Sequence, residues 1–459
     1  MTAQAMPNDA PADAAIGTPV DAADLRVQAD AALEADPTDG NAWTMLGISL
    51  RKQGRVEEAV AAHWHGIDHD PANAVIWTNL GNALIDLGRL DEAIVAHRQA
   101  TSIAPQDRTL LFNLLVAQRR TGAFEDALQS IERLEALGHD SVLVRWERAL
   151  TRLQGGDYAG GFGDYWARRQ IPSYHSRQPP GALWDGSPLA GRRIFLSAEQ
   201  GFGDALLVAR HVAQVKAMGG HVIYECHPEL RRILSALPAD EFHPWGDPLP
   251  AYDVHASQMD LPGLFGTRIG SVPPPMSLHI PDDARDRMRA LLGPADPSVL
   301  RVGIVWSGRT TFGENKLRAT SLKAFLRLAE VPGVRLYSLQ KGPPETELEE
   351  SGLQRLIRPL GPHVGDFADT AAAVEQLDLI VMTDSSVAHL AASLGRPVWN
   401  LVQHVPYWIY GFEGETTPWY RSMRLFRQGR DRDWSRVFDR VAGALHHHAW
   451  TRQLERAPG

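Results

Sequence analysis

The 459-residue chain has one cysteine, Cys226, so no disulfide can form within it, and a lone thiol suits a reducing compartment. It has no long run of one charge. Its 46 Lys and Arg stand against 55 Asp and Glu, a formal charge of -9, which leaves no basic footprint for nucleic acid. It also lacks long apolar runs: stretches such as 377–382, Leu-Asp-Leu-Ile-Val-Met, fall far short of the ~20 residues that span a bilayer. Up to Leu25 there are four aspartates, no Lys or Arg and no apolar segment, which excludes a signal or transit peptide and predicts a disordered leader over 1–23. With 44% hydrophobic and 22% charged residues, the remainder is expected to fold as about three globular domains, cytoplasmic and without a transmembrane segment.

What is present first is a period. Pro37, Pro71 and Pro105 recur every 34 residues, as do Trp43, Trp77 and Leu111, Gly54, Gly88 and Gly122, and Ala59, Ala93 and Ala127. This register, with Leu46-Gly47 repeated as Leu80-Gly81, resembles the tetratricopeptide repeat, a helix pair that buries its apolar face only by stacking on its neighbours. Two full units (40–73 and 74–107), a looser third (108–141), a preceding half unit and a degenerate last one closing with a helix pair at 155–169 predict an α-solenoid over 24–172. Such a groove presents itself to a protein partner; a dimerising or rigidifying module is the alternative.

Beyond a proline-rich hinge at 171–186, short apolar strands alternate with helical stretches: a strand at 192–199, a helix at about 203–218, a strand at 221–227 and a helix at 229–237. A second break at 271–283 opens another series, with strands at 300–308, 334–342, 377–386 and 396–402. Alternation of this kind predicts two doubly wound parallel sheets, with ligands outside the carboxyl ends of the strands. The turn Ala-Glu-Gln-Gly-Phe-Gly-Asp at 198–204 offers Gly201 and Gly203 after a strand. The third glycine of a dinucleotide fingerprint is replaced by Leu206, and Asp204 would set a negative charge against a pyrophosphate, so NAD binding is disfavoured.

Taken in order, 198–204, Val-Gly-Ile-Val-Trp-Ser-Gly (302–308), Ser-Leu-Gln-Lys-Gly (338–342), Asp-Phe-Ala-Asp-Thr-Ala (366–371), the 383–399 segment and 418–428 resemble tetratricopeptide-repeat glycosyltransferases similar to the lipopolysaccharide heptosyltransferases, glycosyltransferase family nine. The resemblance covers about residues 30–445. It implies a GT-B pair of Rossmann-like domains: an acceptor domain at 187–280, a nucleotide-sugar domain at 298–432 and a last helix at 433–450 crossing back. It implies inverting, metal-independent transfer from a nucleotide sugar, with no cofactor. Asp204 then takes the place of the general base, and Gln200, Gly201 and Gly203 form its acceptor-side turn. Without that resemblance, Asp204 reads as an acid favoured by the dipole of a helix's first turn. As a base, its replacement by Asn is expected to lower turnover by roughly 10²–10⁴ and to leave the melting temperature nearly unchanged.

On the donor side, Asp384, Ser385 and Ser386 follow a strand and start a helix, where free N–H groups suit a diphosphate even if those side chains also cap the helix. His389, one turn on, is either a ligand to phosphate or sugar or a satisfied buried histidine. Ser307, Gly308 and Arg309 occupy the turn that the family uses against donor phosphates, with Lys316, Arg318 and Lys341 as further cations; solvated surface charge is the alternative for each. The loops at 310–321 and 406–420 depart from the family pattern and leave the donor sugar open. Trp399, Trp408, Trp419 and Trp434 are assigned to packing. No metal site is expected: the Asp68/Asp70 and Asp431/Asp433 pairs lack a strand-end context, His446 to His448 cannot all face one ion, and His65 and His69 lack a third ligand.

Repeats ahead of a GT-B unit also resemble the layout of O-linked N-acetylglucosamine transferases. A protein acceptor, such as a surface or flagellar subunit, therefore stands beside a lipopolysaccharide or exopolysaccharide precursor. The alternative of a different class is an inactive repeat scaffold.

Overall fold

The computed structural model describes residues 21–171, 174, 176–199, 201–311 and 315–454. Most of the expected leader lies outside them. The described residues form two compact units: 21–155 with 429–432, and 156–428 with 433–454.

The first unit is a run of helices, α1 (Ala22–Ala35), α2 (Gly40–Lys52), α3 (Val56–His69), α4 (Ala74–Asp86), α5 (Leu90–Ile103), α6 (Arg108–Arg120), α7 (Phe124–Ala136) and α8 (Val142–Gln154). The 34-residue period has a physical cause at each position. Asp39, Asn73 and Asp107 cap α2, α4 and α6 by accepting from backbone N–H groups of the first turn, worth about 1 kcal/mol each. Trp43 and Trp77 donate from their indole nitrogens to the carbonyls of Pro37 and Pro71, both at 2.9 Å. Gly54, Gly88 and Gly122 take φ of 79°, 75° and 82°, which turns the chain between the helices of a pair. At Gly47 and Gly81 the missing side chain makes room for His63 and His97, whose rings would lie 2.3 and 2.6 Å from a Cβ. Successive first helices pack directly on one another, α2 on α4, α4 on α6 and α6 on α8, so they line the inner side of the stack.

The repeat unit closes at Gly155 rather than at 172. The segment expected to supply its last helix pair is α9 (Tyr158–Asp164) followed by a 3₁₀ helix, Tyr165–Gln170. Its aromatic face finds large partners elsewhere: Tyr158 and Phe162 lie 5.6 and 5.5 Å edge-on from Trp408, and the Trp419 indole donates to the Tyr158 hydroxyl at 2.8 Å. A repeat helix offers small residues at such positions; this one needs aromatic rings.

The second unit contains two parallel sheets. The amino-terminal lobe runs β1 (Arg193–Ser197), α10 (Phe202–Val208), α11 (Val212–Ala217), β2 (His221–Cys226), β3 (Glu241–Pro244), β4 (Val254–Ser257) and α12 (Leu261–Leu264), with strand order β3-β2-β1-β4. The expected helix at 203–218 is broken by a 3₁₀ turn at Ala209–His211, and 229–237 is a string of turns after the 3₁₀ helix Pro228–Leu230 rather than an α-helix. The carboxyl-terminal lobe runs α13 (Asp282–Leu292), β5 (Leu300–Val305), α14 (Asn315–Arg318), α15 (Leu322–Ala329), β6 (Val334–Ser338), α16 (Thr346–Glu350), β7 (Ile357–Pro359), α17 (Phe367–Glu375), β8 (Leu379–Thr383), α18 (Ser386–Ser393), β9 (Val398–Val402), β10 (Met423–Arg427) and α19 (Trp434–Leu454). Its order, β10-β9-β8-β5-β6-β7, is the doubly wound order 3-2-1-4-5-6 when counted within the lobe, and all its pairings are parallel. The order reverses between β5 and β8 here, and between β1 and β4 in the first lobe.

The last helix does not do what the GT-B expectation gave it to do. Val437, Phe438, Val441, Leu445 and Ala449 of α19 join the core of the carboxyl-terminal lobe with Phe325, Leu328, Trp399 and Phe426. Arg452 pairs with Asp378 at 2.9 Å, and Arg327 with Asp439. Its apolar face therefore covers its own lobe's sheet. Trp399, Trp408 and Trp419 are buried and Trp434 packs on the same core, in line with their assignment to packing.

Candidate active site

The two lobes meet where α10 packs on α18. Each helix starts from the carboxyl end of a switch-point strand, α10 after β1 and α18 after β8, so the topology itself directs the two turns at one another. Gly203 makes the approach possible. A Cβ there would lie 3.1 Å from His389 Cδ2, 3.3 Å from His389 Nε2 and 3.6 Å from Ser386 Cα.

Asp204 sits in the first turn of α10, at this contact. The hydroxyl of Tyr407, from the opposite lobe, donates to Oδ1 at 3.1 Å, and Oδ2 lies against Gly201, where a Cβ would be 2.4 Å away. Burial first, and the Glu199 carboxylate second, push Asp204 up to about 6, against the pull of the Tyr407 hydrogen bond and Arg318. A carboxyl so placed titrates near neutrality, in the range useful to a general base.

Glu199, five residues earlier, stays ionised. Burial works against its charge, but the buried Arg168 guanidinium donates to both oxygens, with Nε–Oε2 at 3.2 Å and Nη2–Oε1 at 2.5 Å, and holds it below the ordinary range. Ser257 donates to the same carboxylate, and Asp260 lies 2.9 Å from Arg168.

Across the crevice, Ser385 takes the cap position of α18 in extended conformation, φ -159° and ψ 176°, and makes no side-chain cap hydrogen bond. The capping suggested by the residue types is not made, so Ser385 leaves the first N–H groups of α18 uncapped, whereas Asp366 caps α17 with two bonds. Asp384 is engaged instead by Tyr410, which donates at 2.7 Å, and by Arg318 at 3.4 Å. His389 is buried, and burial pushes it down to about 4, so it is neutral near pH 7; Nδ1 faces the Tyr420 hydroxyl at 3.1 Å.

The turn after β5 is locked by amide side chains. Gln340 accepts from the N–H groups of Trp306 and Ser307 at 3.1 and 3.0 Å and donates to the Ser307 carbonyl. Asn315 accepts from Gly308 N–H at 3.0 Å and donates to Ser307 Oγ at 3.1 Å. At Gly308 a Cβ would lie 2.9 Å from Asn315 Oδ1 and 3.2 Å from an Arg318 nitrogen, so glycine brings this turn and Arg318 together. Arg309 is exposed, its guanidinium 5.7 Å from the Phe202 ring of the facing lobe.

Of the residues expected in the site, Gly203, Asp204, Ser307, Gly308, Arg309, Arg318, Asp384, Ser385, Ser386 and His389 line this junction or the turns leading to it, and Gly201 supports Asp204. Lys341 is drawn off: its ammonium donates to the Gly361 carbonyl at 2.8 Å and lies 3.7 Å from Glu345. Gln200 and the Lys316 side chain lie outside the described residues. Sequence reasoning missed Arg168, read as part of a repeat, and Tyr407, Tyr410 and Tyr420, all within the 406–420 loop that stood out only as a departure from a pattern.

The tetratricopeptide repeat family matches residues 29–61 and 74–107. The amino-terminal unit is a tetratricopeptide-repeat array. Thr44, Asn79, Asn82 and Asn113 lie buried on the inner helices of this array, and the Asn82 and Asn113 amides have no side-chain hydrogen-bond partner among the described residues. Over 379 residues the chain is 26% identical to Protein FlbA of Caulobacter vibrioides, covering 72% of this chain and 60% of that protein; the match thus spans less than two thirds of that relative. Among solved structures, the glycosyl transferase family 9 from Veillonella parvula DSM 2008 aligns with 58% of this chain and 100% of its own, at 11% identity and a TM-score of 0.45. A tetratricopeptide repeat protein from Parabacteroides merdae covers 33% of this chain and 62% of its own, at 19% identity and a TM-score of 0.30. The two-lobed architecture stands on the strand orders above. No helix among the described residues is long and apolar enough to cross a membrane.

Proposed function

We propose that the chain is a glycosyltransferase that moves a sugar from a nucleotide-sugar donor to a hydroxyl of a glycan or protein acceptor, with inversion and without a metal, and that the repeat array recruits the protein partner. The carrying observation is the opposition of a proton-accepting Asp204 to the uncapped start of α18 across the junction of two doubly wound lobes. In a single displacement the carboxylate takes the acceptor proton as its oxygen attacks the anomeric carbon, and the bond to the nucleotide phosphate breaks on the opposite face. Negative charge then builds on the leaving diphosphate, and the α18 N–H groups, Arg318 and Arg309 are the groups to receive it. Neutral His389 serves as a hydrogen-bonding group to phosphate or sugar. On the repeat array, the Asn82 and Asn113 amides, without a side-chain hydrogen-bond partner among the described residues, suit the main chain of an extended peptide. The lone buried thiol Cys226 accords with a reducing, cytoplasmic location.

The test is a panel of nucleotide sugars and free nucleotides. A ligand at 100 times its dissociation constant should stabilise the second unit by about 2.7 kcal/mol, and Asp204→Asn should cut transfer by roughly 10²–10⁴ while keeping that response. Absence of any nucleotide response favours the inactive scaffold, a reading that draws on the tyrosines already bonded to Asp204 and Asp384.

A further inference from the structure

One short turn carries both phenols that meet the site's carboxylates. Tyr407 stands at the position before the 3₁₀ helix Trp408–Tyr410, and residues three apart in such a turn project from the same side. Tyr407 thereby reaches Asp204 in the facing lobe and Tyr410 reaches Asp384 in its own. Trp408 points into the aromatic cluster with Tyr158, Phe162 and Trp419, and Thr417 donates to the Ile409 carbonyl at 2.6 Å. Behind the turn, Arg427 at the end of β10 gathers the loop. Its Nε donates to Gly414 O at 2.5 Å, Nη1 to Gly411 O at 3.0 Å, and Nη2 to Tyr410 O at 2.6 Å and Glu413 O at 2.9 Å. One guanidinium thus closes four carbonyls of a segment that has little regular structure of its own.

We infer that Tyr407 is the positioning residue of Asp204 and that Arg427, which touches neither carboxylate, is the clamp that holds Tyr407 in place. The inference rests on the proposed role of Asp204 as base. Burial keeps the Tyr407 phenol protonated far above neutral pH, so it donates to Asp204 and does not compete for its proton. With Oδ2 against Gly201 and Oδ1 held by Tyr407, the carboxylate plane is fixed. The other groups facing Asp204 are Glu199 on its own turn, Tyr165, Arg318 of α14, Asp384 before α18, His389 within it and Tyr420.

The test uses the full chain and Tyr407→Phe, Arg427→Ala and Arg424→Ala, each confirmed folded by circular dichroism. Two readouts are taken: the acid limb of the pH–rate profile with the donor found in the nucleotide panel, and the titration of the Asp204 carboxyl by carbon-detected NMR. Because the lost hydrogen bond favoured the ionised form, Tyr407→Phe should raise both apparent pKa values by about one unit and lower kcat about tenfold with an unchanged donor KM. Arg427→Ala should shift both the same way, with recovery in millimolar guanidinium chloride. Arg424, which pairs with Glu415 at the surface, should shift neither. Unmoved titration in a folded Tyr407→Phe overturns the inference, as does an Arg427→Ala shift that guanidinium cannot reverse. Full activity in Asp204→Asn would instead sink the assignment of the base, and the carboxyl titration would still report on Tyr407.

Discussion

Replacing the proposed base by its amide should make the protein more stable, and only above a certain pH. The carboxyl of Asp204 is held at about 6 in the folded chain, against 3.8 for an unperturbed aspartate. The folded state therefore binds the proton more tightly than the unfolded state does. Sites of this kind add stability at low pH and lose it as pH rises through the folded value. Below 3.8 both states are protonated and the shift contributes nothing to the difference between acid and amide. Between 3.8 and 6 the unfolded chain ionises first, and above 6 the folded chain must carry a buried charge at a cost of about 3 kcal/mol, at 1.36 kcal/mol per unit. Asparagine keeps an acceptor for Tyr407 and carries no charge. Asp204→Asn should then raise the melting temperature of the second unit by roughly 5–10 °C at pH 8 and leave it nearly unaltered at pH 4. This replaces the expectation, made with the reading of Asp204 as a base, that the melting temperature would stay nearly unchanged. The assay is calorimetry of wild type and variant across pH 4 to 8, reading their difference so that the other titrating groups cancel. A gain independent of pH, or a loss at pH 8, would refute the reasoning.

Two further outcomes concern the repeats. His63 and His97 are buried with both ring nitrogens unbonded among the described residues, and burial pushes each down to about 4 from 6.5. The unfolded chain binds these protons first, so stability is full above pH 6.5 and is lost as pH falls toward 4, by about 3 kcal/mol per histidine; acid titration of far-ultraviolet circular dichroism should show the repeat unit melting early, with His97→Leu reducing the effect. Gly81→Ala gains up to about 1 kcal/mol of helix propensity but sets a methyl 2.6 Å from the buried His97 ring, and overpacking of about 1–3 kcal/mol should win. A lower denaturant midpoint for the first unit is the expected reading, and a higher one would mean that His97 has room to move.

Much of the candidate site was legible because its parts are local. Asp204 follows two glycines after a strand, and Asp384 to His389 follow another; both are short segments whose residue types match their turns. Lys341 bonds the Gly361 carbonyl instead of facing the junction, because strand-end position says where a side chain starts and not which carbonyl or carboxylate captures its charge. Ser385 looked like a cap because serine often caps, and only the side-chain hydrogen bond that it does not make shows otherwise. The aromatic segment at 158–165 continued a repeat by position, yet its rings required Trp408 and Trp419, some 250 residues away in the chain.

The sequence by itself determined what depends on near neighbours: the 34-residue register of caps, glycines and indole-to-proline bonds, and the alternation of strand and helix that makes two doubly wound lobes. Tertiary structure alone decided which turns face one another, since 203 residues separate Tyr407 from Asp204 and 31 separate Arg168 from Glu199. Periodicity and capping are set within a turn or two of chain, where propensity acts. The proton affinity of a carboxylate is set by whatever burial and charge the fold brings up to it from far away.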